Sequence, residues 1–142
     1  MKKVLNYIIA VIIGLVVGSI INGGIISLSS TYIPIAPGAG FASAEAVELL
    51  TFKDYVGPFL AHALGTLSGA FTTVKIAKNK RLALALLVGL LFFCGGAYMV
   101  NILPEVPLAY DLIDLTLAYF PMAYLGYILA RPKNNFGYNN KT

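Results

Sequence analysis

The chain has no tryptophan, one histidine and one cysteine, and only 11% of its residues are charged. A soluble domain carries roughly 25% charged residues. With 58% hydrophobic residues and a mean hydropathy of +0.81, this shortage of charge excludes a soluble globular domain and a disordered chain. The lone cysteine, Cys94, makes no internal disulfide and no cysteine-based zinc site, and it reads as a small packing residue. The lone histidine, His62, excludes an HExxH metalloprotease pattern, and no glycine-rich phosphate loop precedes a lysine. No catalytic site, metal or cofactor is therefore expected. Acidic residues are also few, six against ten basic ones, and the isoelectric point is near 9.2. The placement of those cations has an explanation other than nucleic acid, which is not expected as a partner.

What the sequence does have is long apolar runs. A bilayer core of roughly 30 Å needs about 20 mostly apolar residues in a helix. Four stretches meet or approach this: 4–28, 55–76, 82–100 and 108–130. Lys2 and Lys3 before an apolar run are a signal-peptide start, but 4–28 is far longer than the roughly 7–15 residues of such a core, so the segment is read as a retained membrane span. The fourth stretch is the least clean. Between Asp114 and Arg131 lie 16 residues, about 24 Å of helix, which puts Asp114 at the outer interface or just below it.

Nine of the ten basic residues fall on one side of these spans: Lys2, Lys3, Lys75, Lys78, Lys80, Arg81, Arg131, Lys133 and Lys141. The six acidic residues, Glu45, Glu48, Asp54, Glu105, Asp111 and Asp114, fall on the other. Basic loops stay in the cytoplasm, so both termini are expected inside. The segment KIAKNKR places Lys75, Lys78, Lys80 and Arg81 where anionic lipid head groups are expected to bind.

The first external loop, 29–53, is irregular around Pro34, Pro37, Gly38 and Gly40. Ser43 then reads as the cap of a short helix running through Phe52, with Glu45 and Glu48 in its first turns. Val47, Leu49 and Leu50 are expected to rest on the membrane surface, and Tyr32, Phe41, Phe52 and Tyr55 suit an interfacial aromatic belt. The tail, 132–142, is polar and expected to be disordered.

Each span carries a pair of small residues four apart: Gly14 and Gly18, Gly65 and Gly69, Ala85 and Gly89, Gly126 and Ala130. Lipid removes the hydrophobic drive between helices, so close backbone approach at such residues is how the bundle is expected to pack. Pro121 should kink the fourth helix. Asn22 with Gly23 and Gly24 marks a candidate break in the first. Gly23-Gly24 is echoed by Gly95-Gly96, and Leu64-Gly65 by Leu125-Gly126, the pattern a duplicated helical hairpin would leave.

Polar residues at depth are the candidate site. His62 lies eight residues past Asp54, about 12 Å down the second span, and Asp114 lies at a similar depth on the fourth. Asn22 and Asn101 lie towards the same ends of spans one and three, and Asp111 sits one turn above Asp114. Buried ionisable groups in a bilayer are costly and face the bundle interior. Two readings are open. The cluster is a hydrogen-bonded clamp between helices, or it is a polar pocket, open outward, for a proton, an ion or a small polar ligand.

The string Pro58-Phe59-Leu60-Ala61-His62-Ala63-Leu64-Gly65, followed by Gly69-Ala70, resembles the second span of a family of small uncharacterised four-span bacterial inner-membrane proteins. The resemblance extends to 111–115 and to Pro121-Met122-Ala123 with Leu125-Gly126, and spans most of the chain apart from the tail. It implies an integral protein of the bacterial cytoplasmic membrane and brings no activity, substrate or cofactor with it.

The sequence thus predicts an all-α four-transmembrane-helix bundle, N-in and C-in, as one domain over 1–131 with a short external helix. Its first expected role is structural or accessory, as a homo-oligomer or a subunit beside another membrane protein. A small channel or transporter-like binder built on His62 and Asp114 is the alternative.

Overall fold

The computed structural model describes residues 2–41, 43–103 and 105–132. All regular structure among them is helical: α1 (Lys2–Tyr32), α2 (Ala44–Glu48), α3 (Phe52–Ile76), α4 (Arg81–Ile102), α5 (Leu108–Leu117) and α6 (Phe120–Ala130). Three stretches are long and apolar enough to cross a membrane: Lys2–Tyr32, Arg81–Ile102 and Leu108–Ala130. The third of these comprises α5 and α6. With its 25 residues α3 is as long but less apolar, and its position explains why. It lies at the centre, packed against α1, α4, α5 and α6.

Most of the residues that α3 buries are small or hydroxylated: Gly57, Ala61, Ala63, Gly65, Thr66, Gly69, Ala70 and Thr73. Large apolar side chains point the other way. Ile8, Ile12, Val16 and Ile20 of α1, Leu90 and Leu91 of α4, and Leu125 and Leu129 of α6 are exposed. A water-soluble fold buries such side chains and a bundle in lipid displays them.

Antiparallel packing of α1 on α3 follows from glycine. A Cβ on Gly18 would lie 2.6 Å from the Gly65 carbonyl oxygen, and one on Gly69 would lie 2.8 Å from that of Gly14. The two backbones therefore meet with no side chain between them. Thr73 Oγ1 donates to the Ala10 carbonyl at 3.1 Å across the same seam. Asn6 closes it: its Nδ2 donates to the Ile76 carbonyl (3.4 Å) and its Oδ1 accepts from the Lys78 amide (3.2 Å). Ala85, Gly89, Gly126 and Ala130 are buried where α4 and α6 meet each other and α3. No break occurs at Asn22: α1 is continuous, and Gly23 and Gly24 face open space.

α2 is shorter than its sequence suggests. Ser43 caps it, accepting from the Ala46 amide at 3.3 Å, but it stops at Glu48. Phe52 belongs to α3, because Thr51 and Asp54 start a new helix: both the amide and the hydroxyl of Thr51 donate to Asp54 Oδ2, each at 2.7 Å. These hydrogen bonds hold the Asp54 carboxyl below the usual aspartate range. Glu45 is likewise lowered, first by its own backbone amide and then by the Ser43 hydroxyl. Val47 is buried rather than laid on the surface, and Tyr55 is buried against Phe41 and Tyr110, leaving Tyr32 (79% exposed) and Phe52 (84%) as the outward pair of the four expected aromatics.

The expected kink at Pro121 is a break. α5 ends at Leu117 and α6 begins at Phe120. Proline has no amide to donate to the Leu117 carbonyl, and its ring crowds that turn. The tail beyond residue 132, with Lys133 and Lys141, lies outside the described residues.

Candidate functional site

At one end of the bundle α1, α3, α4 and α5 part around a cavity of about 560 Å³. It reaches from Pro34, Phe41 and Lys53 in and beside the first loop down to Gly96, His62 and Asp114. Much of its wall is apolar, with Ile26, Ile33, Met99, Val100 and Leu103. Three carboxylates line it: Asp54, Asp111 and Asp114.

At its floor, His62 Nδ1 lies 3.0 and 2.9 Å from the two oxygens of Asp114, joining α3 to α5. Tyr119 adds a second donor, its hydroxyl 3.1 Å from Asp114 Oδ2. Residues five apart on an unbroken helix lie on different faces. The break before α6 is what swings Tyr119 back to Asp114. The Tyr119 ring also stacks on the His62 ring at 5.8 Å, and Phe93 meets it edge-on at 5.9 Å. Gly96 makes the room, since a Cβ there would collide with the Tyr119 hydroxyl. Asp114 is 5% exposed and Tyr119 2%.

The sequence-predicted residues divide. His62 and Asp114 touch, and Asp111, 8% exposed, lines the cavity above them. Asn22 packs its Cβ against Gly65 and does not line the cavity. Asn101 is exposed and returns its amide to the Ala97 carbonyl of its own helix at 2.8 Å, so it does not join the cluster. Tyr119, Tyr110 and the free oxygen of Asp54 enter the site without having been singled out. The Tyr110 hydroxyl and Asp54 Oδ1 are buried and have no hydrogen-bond partner among the described residues. Threonine three residues before Asp54 was the visible signal for Asp54; nothing local announces Tyr119.

At the opposite end a basic cleft lies between the α3–α4 turn and the end of α6, lined by Lys78, Lys80, Arg81 and Arg131. Lys75 instead lies over the Phe71 ring at 5.3 Å. Among the described residues no group of three His, Cys, Asp or Glu side chains is arranged to hold a metal ion. No protein-family model, curated protein or solved structure matches the chain.

Proposed function

We propose that the chain is an integral protein of the bacterial cytoplasmic membrane. It crosses the bilayer four times with both termini inside, and its acidic-end cavity binds a small polar ligand in the manner of a transporter-like binder. The observation that carries this is the cavity itself, with the His62–Asp114 pair at its floor. Its volume falls within the roughly 300–1,000 Å³ of small-molecule sites, and convergent polar groups in an apolar wall are their usual make-up. On this reading α3 is the fourth crossing, shielded from lipid by its neighbours and therefore free to be polar. The described cations other than Lys53 fall at the basic end, which supports the orientation. The cleft of Lys78, Lys80, Arg81 and Arg131 suits anionic lipid head groups at the inner leaflet.

The test is native mass spectrometry of the purified full chain against a Ser30→Trp variant. Ser30 is exposed, lines the cavity and bonds only to its own helix, so a large side chain there fills the space without entering the core. A small-molecule adduct on the unmodified chain that is lost in the variant supports the proposal. An adduct equally abundant in both would overturn it.

A second reading is an accessory or subunit role in which the pair only clamps helices. It is favoured by Asp114, whose two oxygens already find His62 and Tyr119. Under it, His62→Ala lowers the melting temperature and Ser30→Trp changes nothing.

A further inference from the structure

Above the satisfied floor the cavity holds carboxylate that no described residue answers. Asp111 lines it, is 8% exposed, and receives no side-chain hydrogen bond or ion pair from any described residue; the one ion pair found among these is His62–Asp114. Asp54 lines it at 7% exposure, with Oδ2 used by Thr51 and Oδ1 without a partner among the described residues. The hydroxyl of Tyr110, also in the wall, finds no partner among them either. A buried carboxylate oxygen and a buried hydroxyl without partners are destabilising, so Asp54 Oδ1 and the Tyr110 hydroxyl, with the Asp111 carboxylate in the same wall, are complementary to a ligand.

We infer that the cavity takes an organic cation with an apolar body, an ammonium group held by Asp111 and Asp54; this rests on the cavity being a ligand site at all. Charge decides the head. Asp54, Asp111 and Asp114 face the space together with His62, and Lys53 at the rim is the single described lysine or arginine at this end. A bare divalent ion fits less well, because no three of these groups converge in metal-binding fashion. The wall decides the body. Ile26, Ile33, Met99 and Leu103 offer no polar partner to a chain or ring lying against them. The rings of Phe41 and Tyr110 in the same wall suit an ammonium, which is attracted to an aromatic face. The source is either a soluble amphipathic amine or the amine of a membrane lipid; the recognition chemistry is common to both.

The experiment is calorimetric titration of the full chain in neutral detergent at neutral pH with phenylbutylammonium and its uncharged isostere phenylbutanol. Saturable binding of the amine at least about tenfold tighter than the alcohol is expected. Asp111→Asn should erase that preference while leaving the alcohol unchanged, and Asp111→Glu should keep it. The unmodified chain alone settles the matter if Asp111→Asn fails to fold. Equal affinity for both probes overturns the inference and leaves the cavity a ligand site. No binding of either probe overturns the inference, and the Ser30→Trp comparison then decides whether the cavity is a ligand site. Repeating the titration in phosphatidylglycerol nanodiscs, with and without phosphatidylethanolamine, separates the sources. Competition by the aminolipid supports a lipid amine, and its absence supports a soluble one.

Discussion

His62, Asp114 and Tyr119 form one unit from three places in the chain, and they depend on one another unequally. His62→Ala leaves Asp114 with a single donor and opens the stack on Tyr119, so a loss of about 1–2 kcal/mol of packing stability is expected, measured as a lower melting temperature in detergent. Tyr119→Phe keeps the ring and loses only the hydroxyl, and should cost less, about 0.5–1 kcal/mol. If the phenylalanine variant is the weaker of the two, the hydroxyl rather than the histidine anchors Asp114. Counting residues from the ends of the spans was enough to bring His62 and Asp114 to one depth. Tyr119 was beyond that arithmetic, because its contact exists only through the break at Pro121, whose direction a regular helix does not contain. Asn101 shows the opposite limit: depth says where a side chain starts, and its own helix captured it.

Among the elements, the seam of α1 and α3 depends on absent side chains. Gly69→Leu must force the Gly14 carbonyl away or displace Phe92 and Val88, and should unfold the bundle or lower its melting temperature well beyond His62→Ala. Gly95→Leu is the control, since nothing lies near Gly95. The start of α3 carries a pH dependence. The Asp54 carboxyl is depressed in the folded chain by the Thr51 hydroxyl and amide, so its contribution is present above the ordinary aspartate value of about 4 and is lost as pH falls through the lower folded value. Hydrogen exchange at the first turn of α3 should be flat from neutral pH to about pH 4 and rise only below it, after correction for intrinsic rates; Asp54→Asn should abolish that dependence. The three most apolar helices were legible as runs, and Ser43 as a cap. The end of α2 was not, because two capping signals lie eight residues apart and the apolar run through Leu49 and Leu50 hides the boundary between them.

For the molecule as a whole, the separation of charge makes the proposed orientation directly testable. In a Cys94→Ser background, a cysteine at Gly40 should react with a membrane-impermeant thiol reagent added to intact cells, and one at Asn79 should not. The reverse result would invert the bundle and put the cavity on the cytoplasmic face.

The centrality of α3 also bears on how such a protein is made. A segment that carries Asp54, His62 and Lys75 gains less from meeting acyl chains alone than α1, whose body between Lys3 and Tyr32 holds no charge. In a four-crossing protein the leading helix would settle first and offer its glycine groove as a landing surface, so that the two leave the insertion machinery as a hairpin. Delivery of the second segment would then hang on the first, and a nascent chain lacking α1 would strand it in water, exposed to quality-control proteases.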